Sequence, residues 1–68
     1  MNGQTVWVKA AQDANNSDIV LCTLNDQGYC KKLRKDENGI ALISLNKKYA
    51  PIPVQEEDEF RIAGIVVG

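Results

Sequence analysis

Two adjacent lysines, Lys31 and Lys32, lie in the segment GYCKKLRK at residues 28–35 and are the side chains of this sequence best suited to chemistry. The segment is expected to be a β-strand, in which successive side chains point to opposite faces. Lys31 then shares a face with Tyr29 and Leu33, whereas Lys32 points away from them. We therefore expect the Lys31 amine to turn toward apolar neighbours.

The position of Lys31 matters because an amine among apolar side chains loses part of its hydration, which disfavours its charged form. A neutral lysine is a base that can take the proton of a serine hydroxyl, and Ser-Lys hydrolysis works in this way. The sequence contains no histidine, so every His-based mechanism is excluded. The ordinary alternative is that the stem of Lys31 covers apolar surface while its nitrogen stays in water.

The basic character of the segment also points to a possible binding function. Basic side chains beside an aromatic ring can contact phosphate and stack on bases. A small β-barrel module that holds a peptide or nucleic acid is therefore the alternative function. Against it, the net charge of the chain is -1 and only 6% of its residues are aromatic. The residues that would form such a surface are Tyr29, Lys31, Lys32, Arg34, Lys35, Lys47 and Lys48.

The chain of 68 residues is expected to form a single domain, 1–68, with a thin core. Apolar residues make up 44% of it and charged residues 25%, which is ordinary globular usage. The longest apolar run, residues 62–68, is far shorter than the roughly 20 residues that span a bilayer, and no signal pattern opens the sequence. We therefore expect a cytoplasmic protein without a membrane segment.

Two cysteines and no histidine are too few ligands for a structural zinc site, and we expect neither a metal nor a cofactor. A hairpin with Asp26 and Gln27 at its tip would place Cys22 opposite Lys31. Cys30 would then point to the other face of the hairpin. The two thiols are therefore expected to stay unpaired, as small side chains in a reducing compartment.

Short β-rich segments separated by turn signals run through the whole chain. No apolar stripe of helical period interrupts them, so the sequence predicts an all-β domain of small antiparallel sheets built from hairpins. Residues 49–54 are expected to be extended but irregular, because Pro51 and Pro53 lack the amide donors of a central strand. The predicted strands are TVWVKA (5–10), DIVLCTLN (18–25), YCKKLRK (29–35), IALISLN (40–46) and FRIAGIVVG (60–68).

The final segment is apolar on both faces if its side chains alternate regularly. In so small a domain we expect one of these faces to be covered by something outside the chain seen here, such as a second copy or a further segment. A homodimer is the version that we predict. The residues of the predicted dimer interface are Phe60, Ile62, Ile65, Val66 and Val67.

The segment YCKKL resembles the x-V-K-R/K-L strand of the LexA-like self-cleaving serine peptidases. This family includes SOS repressors, lambda-type phage repressors and UmuD-like polymerase accessory subunits. The resemblance covers essentially the whole chain and implies a LexA/signal-peptidase-like β fold, of which this chain is the C-terminal part. Four other segments are similar to family patterns in the same order: NGQTVWV to D-G-D-x-V-x-V, NSDIVLCTLN to x-G-D-I-V-x-A, LNKKYAPIPV to x-N-x-x-Y-x-P-I, and FRIAGIVVG to x-I-x-G-V-V-x.

The resemblance implies that Lys31 is the general base, because it matches the first lysine of the family's pair. The family's serine nucleophile lies in a G-x-S-M turn before the D-G-D segment, about where this chain begins, and neither Ser17 nor Ser44 matches it. We therefore expect this chain alone to be inactive. For the parent protein, the resemblance implies self-cleavage stimulated by a RecA–DNA filament and dimerisation through the C-terminal strands, with no direct nucleic-acid binding by this segment.

Overall fold

A computed structural model describes residues 7–67, and six β-strands make up the regular structure of this part of the chain. The strands form one antiparallel sheet in the order β1-β6-β2-β3-β4-β5, so the predicted all-β class is confirmed. Residues 5, 6 and 68 of the predicted terminal strands lie outside the described residues. The strands are β1 (Val8–Ala10), β2 (Ile19–Leu24), β3 (Gln27–Asp36), β4 (Gly39–Ile43), β5 (Ile52–Val54) and β6 (Phe60–Val66).

A two-residue turn at Asn25 and Asp26 closes the hairpin of β2 and β3. Both residues have positive φ angles, 51° and 70°, as a type I′ turn requires. Asn and Asp adopt this left-handed region more readily than most residues, because their short polar side chains can bond locally. The turn pairs Leu24 directly with Gln27 and thereby fixes the register of the whole hairpin.

The predicted tip of this hairpin at Asp26 and Gln27 is wrong by one residue. Cys22 consequently pairs with Tyr29 and not with Lys31. The observed turn shifts the partner of Cys22 by two residues along β3. Residues two apart in a strand have their side chains on the same face. The prediction that Lys31 shares a face with Cys22 therefore survives the change of register.

One face of the sheet, called here the core face, carries the buried core cluster. Leu33 on β3 pairs with Leu42 on β4, and both are almost completely buried. Complete burial of a side chain of this size stabilises a fold by about 1.5–3 kcal/mol. The core cluster consists of Ala14, Val20, Cys22, Leu24, Leu33 and Leu42.

The loop between β1 and β2 contributes to the core although it has no regular structure. It places Ala14 in the core cluster. Its C-terminal part adds two backbone hydrogen bonds to β3. The Ser17 N–H donates to the Leu33 carbonyl oxygen at 2.8 Å, and the Leu33 N–H donates to the Asp18 carbonyl oxygen at 2.7 Å. These bonds satisfy the backbone groups of Leu33, which lies just beyond the part of β3 that pairs with β2.

A β-bulge in β6 changes which of its residues face the core. The register of β6 against β2 shifts at Ala63, which has no partner of its own on β2. Because of this extra residue, Ile62 and Ile65 both pack against the core cluster, although a regular strand would turn them to opposite faces. The side chains of β6 therefore do not alternate regularly between the two faces.

Asn25 also ties the β2–β3 turn to the loop before β6. Its Nδ2 atom donates to Asp58 Oδ1 at 3.0 Å, and its Oδ1 atom accepts from the Glu59 N–H at 2.9 Å. Two hydrogen bonds hold the pKa of the Asp58 carboxyl below its ordinary value of 3.8. The larger effect comes from the Asn25 side chain and the smaller from the Gln55 N–H. The acidic segment before β6 therefore helps to position the turn.

The close approach of β1 to β6 gives a testable prediction. A Cβ atom on Gly64 would lie 2.5 Å from Val8 Cγ1 and 3.0 Å from the Lys9 carbonyl oxygen. We expect Gly64→Ala to lower the free energy of unfolding by about 1–3 kcal/mol, because β1 must move away. Urea denaturation followed by circular dichroism measures this change. Gly28→Ala is the matched control, since nothing lies within 4 Å of a Cβ atom there; equal losses in the two variants would contradict the packing.

Candidate functional site

Lys31 lies near the middle of β3 with its side chain on the core face, where the alternation placed it. Its partner on β2 is Val20, and the lysine is half-buried. The Nζ atom lies 5.7 Å from the centroid of the Tyr29 ring. Among residues 7–67, no carboxylate forms an ion pair with it. This geometry is compatible with a base, and the role itself stays a prediction.

Tyr29 is held in place from two sides. Its hydroxyl donates to Gln27 Oε1 at 3.0 Å, and it packs against the core cluster. Gln27, Tyr29 and Lys31 are alternate residues of one strand, so they form a continuous row on the core face. We call these three residues and the facing Cys22 the Lys31 site.

The two thiols lie on opposite faces of the sheet, as predicted. Cys22 is buried on the core face, and Cys30 is exposed on the other face; both are free. Burial raises the pKa of the Cys22 thiol, Cys30 adds to this effect, and the positive charge of Lys31 opposes it. The Cys22 thiol therefore stays neutral at ordinary pH.

One edge of β3 is open beside Lys31. β2 pairs with residues 27–32 of β3, and β4 pairs with residues 32–36. Within the described part of the chain, residues 27–31 therefore have no strand partner on the side of β4. The sequence reasoning missed this feature because it extended the β4 strand to residue 46.

The early end of β4 has a local cause. Ser44 Oγ accepts a hydrogen bond from the Asn46 N–H at 3.1 Å, and Asn46 Oδ1 accepts one from the Lys48 N–H at 3.0 Å. Ser and Asn side chains that bond to nearby backbone compete with strand pairing in this way. β4 consequently ends at Ile43. The serine and asparagine in the segment SLNKK were the signal for this end.

A groove of about 420 Å³ lies elsewhere on the core face. Ile40 of β4 contributes to its apolar wall together with Phe60 and Ile62 of β6, so the sheet curls far enough to bring these distant strands together. Asp13, in the loop between β1 and β2, and other polar groups form its rim. Lys31 does not line this groove, so the groove is distinct from the Lys31 site.

The basic cluster of the sequence does not form a single surface. Lys31 lies on the core face, whereas Lys32 lies on the opposite face, as their alternation requires. Lys35 is engaged by the loop, because its Nζ atom lies 3.3 Å from Asp13 Oδ1. The Ala14 N–H and then Lys35 hold the pKa of Asp13 below its ordinary value of 3.8. A continuous basic platform for nucleic acid is thus missing from this strand.

The residues of the predicted dimer interface divide into two groups. Phe60, Ile62 and Ile65 are half-buried and pack against the core cluster of their own chain. Val66 is half-buried on the opposite face, and Val67 is 59% exposed. The exposed apolar surface at this end of the sheet also includes Trp7 and Val8, which are 69% and 43% exposed. The interface as predicted is therefore a mixture of core and surface residues.

Comparison with known protein families gives a match along almost the whole chain. The family described as Peptidase S24-like matches residues 1–67. The match includes Tyr29, Lys31 and the open edge of β3.

Curated proteins similar to this chain are repressors. The LexA repressor of Bordetella pertussis is 38% identical over 68 residues, which are 100% of this chain and 32% of the repressor. The LexA repressor of Delftia acidovorans is 37% identical over 68 residues, 100% of this chain and 30% of the repressor. That of Oleidesulfovibrio alaskensis is 39% identical over 67 residues, 98% of this chain and 32% of the repressor. The chain thus spans about a third of the length of these relatives.

The opposite orientation of the two thiols predicts a difference in their reactivity. We expect iodoacetamide to modify Cys30 in the folded protein and to modify Cys22 at least about tenfold more slowly, because Cys22 reacts only when the fold opens. Peptide mass spectrometry measures both rates. In urea the two rates should become similar. Equal rates in the folded protein would contradict the placement of β3, and with it the inward position of Lys31.

Proposed function

This chain belongs to the peptidase S24-like family, and from that membership we propose that it is the C-terminal part of the dimerisation and self-cleavage domain of a LexA-like or phage-type transcriptional repressor. The single observation that carries the proposal is the half-buried position of Lys31 on the core face, because the sequence resemblance implies that this lysine is the family's base. The parent repressor would work in the cytoplasm.

In this proposal Lys31 is the general base of self-cleavage. A serine that precedes this chain in a longer protein attacks the carbonyl carbon of a peptide bond in the same protein. The Lys31 Nζ atom takes the proton of the serine hydroxyl and returns it to the departing amine. An acyl-serine forms as the peptide bond breaks, and water then hydrolyses it. We expect the 68 residues alone to perform no cleavage, because the proposal places the nucleophile in a preceding segment.

The open edge of β3 supports this role because it offers a place for an extended segment beside the base. Leu33 bonds through its backbone to the side of β2. Backbone groups alternate along a strand, so those of Gly28 and Cys30 point to the open edge. A segment of the parent protein that pairs there would satisfy these groups. It would also bring its own backbone next to the Lys31 amine.

The regulation of the parent protein follows from the same assignment. We propose that a RecA–DNA filament stimulates the cleavage and that cleavage separates a DNA-binding part from the dimerising part. The similarity to LexA repressors supports this proposal. Operator binding belongs to the other part of the repressor, which agrees with the divided basic cluster of this chain.

We also propose that the chain forms a homodimer through the exposed apolar residues at the end of β6. Trp7 and Val67 lie next to each other, since the Val67 N–H donates to the Trp7 carbonyl oxygen at 2.8 Å. A cluster of exposed apolar side chains at a sheet edge is typical of a protein contact. Phe60, Ile62 and Ile65 would support this surface from the core side.

The role of Lys31 can be tested in a longer protein that includes the serine segment before residue 1. We expect Lys31→Arg to slow self-cleavage at least about a hundredfold, because a guanidinium cannot act as a base at accessible pH. Gel electrophoresis of the purified protein at alkaline pH measures the cleavage rate. Lys32→Arg is the matched control on the opposite face and should cleave at the wild-type rate. Cleavage by Lys31→Arg, or no serine in the preceding segment, would overturn the proposal.

The dimer proposal gives a prediction for Val67. We expect Val67→Lys to weaken self-association about tenfold or more, because a charge would be buried in the apolar contact. Sedimentation velocity over a range of concentrations measures the dissociation constant. Leu45→Lys is the matched control, since Leu45 is 65% exposed and lies in the loop after β4. A monomeric wild type, or equal effects of the two substitutions, would contradict the proposed surface.

A further inference from the structure

The turn between β3 and β4 contains an Asn-Gly pair, Asn38 and Gly39, that the function proposed above does not use. We propose that Asn38 is a site of covalent modification, at which the side-chain amide is lost spontaneously and the backbone of the β3–β4 hairpin is altered. Water is the co-reactant, and the reaction needs no enzyme. This inference does not rest on the proposed self-cleavage.

The reaction joins two neighbouring groups of the chain. The Gly39 backbone nitrogen attacks the side-chain carbonyl carbon of Asn38 and forms a new C–N bond. The bond from that carbon to the amide nitrogen breaks, and ammonia leaves with the proton of the Gly39 N–H. Water then opens the resulting succinimide ring at either of its carbonyls, which gives aspartate or isoaspartate. Glycine favours ring closure because it has no Cβ atom and its backbone is the least restricted.

The structure leaves both reacting groups accessible. Asn38 and Gly39 are exposed, and nothing lies within 4 Å of a Cβ atom placed on Gly39. Gly39 pairs with Asp36 at the turn end of the β3–β4 ladder. The last pair of a ladder opens more readily than its centre. The Gly39 nitrogen can therefore be released for the attack while the rest of the domain stays folded.

Three other asparagines are held in ways that oppose the same reaction. The side-chain oxygens of Asn16, Asn25 and Asn46 each accept a backbone N–H at 2.9 to 3.0 Å. The residue that follows each of them carries a side chain. Asn38 donates its backbone N–H to Asp36 Oδ1 at 2.9 Å, and its side chain has no hydrogen-bond partner among residues 7–67. The structure therefore singles out Asn38 over these three.

The product would disturb the end of the hairpin in two ways. The turn borders a groove of about 540 Å³ whose lining already includes Glu37, Glu56 and Glu57, so a new carboxylate at position 38 adds a like charge. Isoaspartate also inserts an extra carbon atom into the backbone of a two-residue turn. That turn sets the pairing of Asp36 with Gly39. We therefore expect the isoaspartate form to have a weakened β3–β4 hairpin.

Incubation of the folded 68-residue chain at physiological temperature and mildly alkaline pH tests the proposal. Peptide mass spectrometry measures the conversion of each amide to an acid, and electron-transfer fragmentation separates isoaspartate from aspartate. We expect Asn38 to react at least about tenfold faster than Asn16, Asn25 and Asn46, because their hydrogen bonds must break first. Isoaspartate should exceed aspartate at position 38. Asn38→Gln is the matched control and should keep its amide.

The effect on the hairpin is measured on the isoaspartate form after its separation by ion exchange. We expect its thermal midpoint to lie about 4 °C or more below that of the unmodified protein. Asn38→Asp carries the new charge without the extra backbone atom and should lie between the two. An isoaspartate form that melts with the unmodified protein would overturn the effect on the hairpin.

Two further outcomes would overturn the site itself. One is an Asn38 rate no higher than that of the three bonded asparagines. The other is loss of the Asn38 amide in urea but not in the folded protein, which would show that the hairpin blocks the attack. Neither outcome bears on the proposed function, which Lys31→Arg tests in the longer protein.

Discussion

The two-residue turn at Asn25 and Asp26 is the constraint on which the rest of the sheet depends. A change of one residue in the register of β2 against β3 would turn every side chain of β3 to the opposite face. Lys32 would then enter the core in place of Lys31. The positive φ angles of the turn prevent this change within the hairpin. The bonds of Asn25 to the loop before β6 prevent it from outside.

The unequal lengths of β3 and β4 divide the long strand into two halves with different tasks. β3 has 10 residues and β4 has 5, so β4 covers only the C-terminal half of its neighbour. In that half Leu33 meets Leu42 in the centre of the core. In the other half, around Lys31, the backbone groups that point away from β2 have no strand partner within residues 7–67. The same strand thus contributes to the core at one end and has an open edge at the other.

The sequence was sufficient for features that depend on local periodicity. The inward position of Lys31 and the opposite orientation of the thiols follow from the alternation of one strand, and five quoted segments identified the family that the comparison confirmed. Features that depend on a single residue were missed. The extra Ala63 reverses the alternation of β6, and the side chains of Ser44 and Asn46 end β4. A local period cannot reveal such interruptions, because each arises from a specific backbone contact.

The half-buried position of Lys31 limits what this side chain costs the fold. A fully buried lysine without a partner would cost several kcal/mol, which a domain of this size cannot easily offset. At its half-buried position the Lys31 side chain keeps part of its hydration and contacts the Tyr29 ring, so its cost to the fold stays small. Covering the open edge of β3 with another segment would remove more of this water, so the surroundings of Lys31 depend on what pairs with β3.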